Sequence, residues 1–181
     1  MTGRPPLLIV TLPARSIPAL KDEIGRAQAA GADLAEVRID RLSSEEEERL
    51  GSLFPTSLPL LVTLRSRAEG GEGPDDPRTR ADRLLAAGRL PFAWTDLEYD
   101  RDRDLVARLD RREGLIVSTH LAAATDGAEL GRRLRQSPPE GAVRKVVLPA
   151  SVGALFSRVL PELPPPGELS LAVATTVAHW P

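Results

Sequence analysis

Lys145 lies inside the apolar stretch AVRKVVLPAS, residues 142–151, where the pattern predicts a buried strand. The chain otherwise avoids lysine, since only Lys21 and Lys145 stand among its 24 lysine and arginine residues. An arginine would serve on a surface strand equally well. A lysine offers what an arginine does not, an amine that can lose its proton and attack a carbonyl. The residue type therefore favours Schiff-base chemistry.

Five further polar residues lie on apolar runs or just after them: Glu36, Arg38, Arg65, Glu69 and His120. In a barrel of parallel strands, the carboxyl ends of the strands meet at the face that carries the active site. An imidazole there can accept and return protons. Carboxylates and guanidinium groups can bind or polarise a substrate. With the lysine, these residue types predict one shared pocket.

Each of these residues also has a purely structural interpretation. Glu36 and Arg38 stand at i and i+2 on one strand face, so they could form an ion pair at the barrel mouth. Arg65 and Glu69 could form a salt bridge within a loop. A histidine on an apolar strand, as His120 is, is commonly a hydrogen-bonded core residue. The combination, more than any one member, favours a catalytic site.

Short apolar runs alternate with stretches of helical length along the whole chain. The predicted strands are Leu7–Pro13, Leu34–Asp40, Leu58–Ser66, Phe92–Tyr99, Gly114–Leu121, Ala142–Ala150 and Leu169–Thr175. The predicted helices with defined bounds are Ile17–Asp33, Arg80–Leu90, Arg103–Gly114, Asp126–Gln136 and Ser151–Leu163. One more helix is predicted to begin at a Ser43/Ser44 cap, with Glu46 or Glu47 placed for a capping box. Nearly continuous hydrophobicity is typical of parallel strands covered on both faces.

This repeat predicts an α/β fold of the (β/α)8 TIM-barrel type, with seven strands visible. A dinucleotide-binding sheet gets little support, because TLPARS after the first strand lacks the G-x-G-x-x-G pattern. No linker or low-complexity tract marks a second domain. We therefore expect one domain over residues 1–181.

Composition excludes several classes of protein. A net charge of -2 argues against nucleic acid as the main partner, and no apolar stretch is long enough to span a membrane. The absence of cysteine removes thiolate chemistry and disulfides. We expect a cytoplasmic protein with a small-molecule partner, and we leave a homodimer open.

The candidate residues lie in motifs that resemble those of type I 3-dehydroquinate dehydratases. AEVRID (residues 35–40) resembles that family's E-x-R-x-D strand, and VTLRSRAEGGE (Val62–Glu72) resembles its T-x-R-x-x-x-E-G-G segment. LIVSTH resembles the strand that ends in the catalytic histidine, and VRKVVLPAS resembles the lysine strand. The four motifs follow the family order over residues 6–175.

The resemblance implies a reaction and a set of roles. Lys145 would form an iminium with the C3 ketone of 3-dehydroquinate. His120 would take the C2 proton and then protonate the departing C1 hydroxyl, while Glu69 polarises this proton transfer. Glu36, Arg38 and Arg65 would bind the substrate. The products are 3-dehydroshikimate and water, and the reaction needs neither metal nor organic cofactor.

The sequence departs from the family pattern in two places. Leu121 and Ala122 replace the polar and aromatic residues that usually follow the histidine, which alters the surroundings of His120. An eighth strand, a carboxylate-binding arginine and a lid loop have no counterpart after Thr175. Two alternatives therefore stand beside the enzyme: a truncated, catalytically impaired pseudoenzyme or binding domain of the same fold, and another Schiff-base barrel enzyme such as an aldolase, which leaves RSRAEGG unexplained.

Overall fold

A computed structural model describes residues 7–109, 114–121, 126–136, 139, 141–148 and 171–175. The strands are β1 Ile9–Leu12, β2 Leu34–Arg38, β3 Leu60–Thr63, β4 Trp94–Glu98, β5 Leu115–His120, β6 Val143–Leu148 and β7 Leu171–Thr175. The α-helices are α1 Ile17–Ala29, α2 Ser44–Glu48, α3 Pro77–Ala87, α4 Tyr99–Asp102 and α5 Gly127–Arg135. Short 3-10 helices lie at Ile39–Arg41, Leu50–Leu53, Arg67–Glu69 and Arg103–Leu105. All seven predicted strands are confirmed, and the helix predicted over Ser151–Leu163 lies outside the described residues.

The chain divides into two compact units, Met1–Asp96 and Leu97–Pro181. A single domain over the whole chain stays a prediction. No helix in the ranges given above is long and apolar enough to cross a membrane.

In the first unit, β1, β2, β3 and the start of β4 pair in parallel. The register sets Thr11 beside Glu36, Arg38 beside Thr63, and Thr63 beside Asp96. Residues paired across parallel strands point to the same side, and so do residues two apart on one strand. These five polar residues therefore share one face of the sheet.

The opposite face of this sheet is apolar and is covered by helices. α1 turns Ile17, Leu20, Ile24 and Ala27 inward, at the three- and four-residue spacing of one helical face. Each large apolar side chain removed from water stabilises the fold by about 2 kcal/mol. Burial on this side fixes the register, because a slip by one residue would turn the polar side chains into the core.

The ends of α1 and α2 follow the sequence signals. Pro18 stands in the first turn of α1, and Gly31 after its end has a φ of +85°. At the start of α2 the Ser43 hydroxyl accepts from the Glu46 amide. The Glu46 carboxylate accepts from the Ile17 amide at the start of α1 instead of completing a capping box. One carboxylate thus ties two helix starts together.

α3 begins at Pro77, three residues before the predicted start at Arg80. Asp76 is its N-cap, since the Asp76 carboxylate accepts from the Thr79 amide over 2.8 Å. A capping aspartate followed by proline is a strong helix start. The Gly/Pro-rich loop is therefore shorter than the composition suggested.

The helix predicted over Arg103–Gly114 is wrong in its described part. Helical structure begins directly after β4, as α4 and then the 3-10 turn Arg103–Leu105. The buried Asp102 carboxylate accepts from the Glu98 amide over 2.9 Å. This bond ties the first helical turn to the strand end, so the helix starts four residues early.

In the second unit, β5, β6 and β7 pair in parallel. The register sets Ser118 beside Lys145 and His120 beside Val147. Arg144 alternates to the opposite face, where it is buried and its guanidinium donates to the Arg133 carbonyl of α5. The two neighbouring cations of β6 thus point to opposite sides of the sheet.

Candidate active site

His120 and Lys145 lie on one face of two adjacent strands. His120 pairs with Val147, two residues beyond Lys145, so the two side chains are diagonal neighbours. Strands about 4.8 Å apart that rise about 3.3 Å per residue place their Cα atoms about 8 Å apart. Both side chains are half-buried, whereas Ser118 beside Lys145 is fully buried. An amine and an imidazole at this spacing can act on neighbouring atoms of one small molecule.

Arg144, the residue before Lys145 on β6, bears on why residue 145 is a lysine. Burial lowers the pKa of the Arg144 guanidinium to about 10, and the charge of Arg133 acts in the same direction. Arginine is therefore tolerated even on the buried, helix-facing side of β6. Lys145 lies on the other, half-exposed face, so burial alone does not explain why residue 145 is a lysine and not an arginine.

Glu36 lies in a buried position between two hydroxyl groups. The Thr11 hydroxyl donates to Oε2 over 2.5 Å, and the Thr63 hydroxyl donates to Oε1 over 2.7 Å. The residue is 6% exposed. Hydroxyl donors from both neighbouring strands therefore fix the orientation of the carboxylate. Neither threonine was among the predicted site residues, although Thr63 is the threonine of the T-x-R motif, two residues before Arg65.

Arg38 pairs with Asp40 and not with Glu36, so the ion pair considered for Glu36 and Arg38 is wrong. The Nε and Nη2 atoms of Arg38 each donate to the Asp40 carboxylate over 2.7 Å. Asp40 also accepts from the backbone amides of Arg65 and Glu72. Burial by itself raises the pKa of the Asp40 carboxyl, but Arg38 and the two amides hold it below its ordinary value.

The glycines of the EGGEG segment are required by close backbone contact at two positions and by backbone conformation at the third. A Cβ on Gly71 would lie 2.3 Å from the Arg65 carbonyl oxygen, and one on Gly73 would lie 2.6 Å from the same atom. Gly70 has a φ of +81°, in the left-handed region. The loop after β3 therefore folds back tightly over Arg65, which explains the glycines of the most specific motif.

Arg65 lies between two carboxylates. Its Nη1 is 3.0 Å from Glu69 Oε2, and its Nη2 is 3.0 Å from Asp96 Oδ1. The side chains of Arg65, Glu69 and Asp96 are 4%, 6% and 0% exposed. The salt bridge considered for Arg65 and Glu69 is thus present, and it is part of a larger buried network. Sequence analysis missed Asp96, whose signal is an acidic residue inside an apolar strand.

The structure thus brings together Glu36, Arg38, Arg65 and Glu69 in the first unit, and His120 with Lys145 in the second. Leu121 continues the strand pairing, since its amide donates to the Val147 carbonyl over 3.0 Å. Ala122 lies outside the described residues. Among the residues that the structure describes, no three histidine, aspartate or glutamate side chains form a group able to hold a metal ion.

Comparison with known proteins identifies one family. A family model described as type I 3-dehydroquinase matches residues 8–153. The 3-dehydroquinate dehydratase of Methanothermobacter thermautotrophicus is 33% identical over 141 residues, which is 74% of this chain and 62% of that protein. The bifunctional chloroplastic 3-dehydroquinate dehydratase/shikimate dehydrogenase of Arabidopsis thaliana is 31% identical over 131 residues, 69% of this chain and 22% of that protein. The chain thus spans less than two thirds of the length of these relatives.

Solved structures show the same fold. A type I 3-dehydroquinate dehydratase from Clostridium difficile, with covalently modified comenic acid, gives a TM-score of 0.75 at 18% identity and covers 94% of this chain and 75% of its own. The 3-dehydroquinate dehydratase from Aquifex aeolicus gives a TM-score of 0.69 at 19% identity, and the match covers 97% of this chain and 91% of that chain. This likeness confirms the predicted α/β fold of the TIM-barrel type.

Proposed function

Because the chain belongs to the type I 3-dehydroquinase family, we propose that it converts 3-dehydroquinate to 3-dehydroshikimate and water. The observation that carries this proposal is the placement of Lys145 and His120 as diagonal neighbours on one sheet face. The family's reaction uses an amine and a proton carrier acting on adjacent carbons, and this pair supplies both.

The proposed reaction begins at the substrate ketone. The Lys145 amine, in its neutral form, adds to C3, and loss of water leaves an iminium that draws electrons from the neighbouring C2–H bond. His120 takes the C2 proton and then returns a proton to the C1 hydroxyl, which leaves as water. Water hydrolyses the iminium, so the amine is regenerated and the enone is released.

Residues of the first unit receive the binding and polarising roles by the family pattern. Glu36, held by two hydroxyl donors, would accept from a substrate hydroxyl. Arg38 and Arg65 would donate to substrate oxygens, and Glu69 would polarise the proton transfer while it anchors Arg65. Carboxylates already hold the guanidinium groups of Arg38 and Arg65 in place. Substrate binding therefore costs little further conformational entropy of these two side chains.

The proposal uses side chains alone and no cofactor. The family match and the presence of Glu36, Arg38, Arg65, Glu69, His120 and Lys145 support an enzyme over a non-catalytic binding domain. We further propose the cytosol as its compartment and the small molecule, without nucleic acid or membrane, as its partner. A homodimer stays a prediction that sedimentation velocity tests.

The direct test is turnover of 3-dehydroquinate, followed by the ultraviolet absorbance of the enone product. The parent chain should form the product, the variant Lys145→Met should form none, and Lys21→Met should match the parent. Lys21 is the matched control because it is exposed on α1 and is the other lysine of the chain. A parent chain that binds 3-dehydroquinate without forming enone would instead support the binding-domain alternative.

A further inference from the structure

Asp40 makes four hydrogen bonds that join three parts of the first unit. Its Oδ1 accepts from Arg38 Nε and, over 3.2 Å, from the Arg65 amide. Its Oδ2 accepts from Arg38 Nη2 and, over 3.1 Å, from the Glu72 amide. The side chain is 0% exposed. Four donors satisfy the lone pairs of both oxygens, so this carboxylate has no capacity left for a substrate.

The two amides lie at the two ends of the glycine-rich loop, residues 65–72. A buried carboxylate that binds both ends closes the loop, and the same oxygens orient the Arg38 guanidinium. A Cβ on Gly73 would lie 2.6 Å from the Arg65 carbonyl oxygen and 3.1 Å from the Asp40 Cβ, so glycine at residue 73 lets the backbone come this close. The loop begins at Arg65 and also carries Glu69, and these two residues form the ion pair described above.

We propose that Asp40 is a positioning residue that sets Arg38 and the loop bearing Arg65 and Glu69 as one unit, an inference that rests on the proposed function. Asp40 acts through its neighbours and does not touch the substrate. The positions of the two substrate-binding arginines are then coupled, because the same carboxylate holds the side chain of one and the backbone of the other. Loss of this carboxylate should affect ligand binding more than the chemical step.

The test combines amide hydrogen exchange with steady-state kinetics on the full chain. In Asp40→Asn, the side-chain amide turns a donor toward groups that are themselves donors. The exchange of the Arg65 and Glu72 amides should accelerate on the order of tenfold or more, while the β5 and β6 amides keep the parent's rates. KM for 3-dehydroquinate should rise on the order of 10- to 100-fold, with a smaller loss in kcat.

Asp126→Asn is the matched control, because Asp126 also accepts from a backbone amide, that of Glu129, at an exposed helix cap. Asp126→Asn should leave the exchange rates of the Arg65 and Glu72 amides unchanged, and it should also leave KM for 3-dehydroquinate unchanged. Unchanged protection of these amides in Asp40→Asn would overturn the proposal. Uniformly faster exchange across all strands would overturn it as well, since that result marks a merely structural role.

A second variant covers the case in which Asp40→Asn does not fold. Gly73→Ala keeps the carboxylate but places a methyl group 2.6 Å from the Arg65 carbonyl oxygen and 3.1 Å from the Asp40 Cβ. The loop must move to relieve both contacts, so the variant should reproduce the local exchange and the rise in KM. Gly25→Ala is its control, since nothing lies within 4 Å of a Cβ at that position in α1. An inactive parent chain would refute the proposed function, whereas the exchange result would still decide the role of Asp40.

Discussion

The Arg65 guanidinium donates to the Asp96 carboxylate over 3.0 Å at the end of β3, where both side chains are nearly inaccessible to water. Glu69 binds the same guanidinium from the loop that follows. Removing water from charged groups is costly, and the cost is offset here because each charge has a close opposite partner. Arg65, which we propose binds the substrate, is therefore part of the fold as well as of the proposed site.

Replacing Asp96 by asparagine should destabilise the chain. The change removes a carboxylate that lies 3.0 Å from the buried Arg65 guanidinium, which should lower the free energy of unfolding by about 3 kcal/mol. Urea denaturation measures this. Arg26→Gln serves as the control, because the Arg26 side chain is 77% exposed and lies 3.7 Å from Glu23, a pair worth less than about 1 kcal/mol. Equal losses of unfolding free energy in Asp96→Asn and Arg26→Gln would contradict the stabilising role of the buried Arg65–Asp96 pair.

Stability should fall at acid pH in a way that depends on Asp40. Its pKa is lowered by folding from an ordinary value of 3.8, so the unfolded chain binds the proton more tightly. The contribution of Asp40 is thus complete above pH 3.8 and is lost as the pH falls through the folded pKa. Unfolding free energies of the parent and Asp40→Asn, compared from pH 5.5 to pH 2.5, should converge toward the acid end. A constant difference would show that the carboxyl does not titrate with folding.

Lys145→Arg separates charge from chemistry. An arginine keeps the positive charge on β6, and residue 145 is half-exposed, so stability should change by less than about 1 kcal/mol. Turnover should be lost completely, because a guanidinium does not form an imine under these conditions. Lys21→Arg should behave like the parent in both measurements. Residual turnover in Lys145→Arg would remove the lysine from the mechanism.

His120→Asn should separate imine formation from proton transfer. General acid–base catalysis contributes about 10²- to 10⁴-fold, so kcat should fall by that amount. The imine should still form, because the amine of Lys145 is retained. His179→Asn, which changes the other histidine of the chain, should leave kcat unaltered. A kcat for His120→Asn within twofold of the parent would rule out the proton-transfer role.

The sequence predicts the strands well, and it makes the six candidate residues easy to pick out, for a physical reason. Strands buried on both faces leave continuous apolar runs, and the few polar residues on them stand out. The contacts of Thr11 with Glu36, of Asp40 with the Arg65 amide and of Asp96 with Arg65 were harder to foresee. They join residues 25 to 31 positions apart, which become neighbours only through strand register and loop closure. The early start of helical structure at Tyr99 was not foreseen, because it depends on the buried Asp102 carboxylate accepting from the Glu98 amide, a contact that the periodic pattern does not reveal.

The most direct test of the central claim is chemical trapping of the imine. The parent chain is incubated with 3-dehydroquinate and sodium borohydride, digested, and mapped by mass spectrometry. One reduced adduct is expected on the peptide that contains Lys145, and none on that peptide in Lys145→Arg or without substrate. The absence of an adduct, or equal labelling of Lys21 and Lys145, would contradict the central claim.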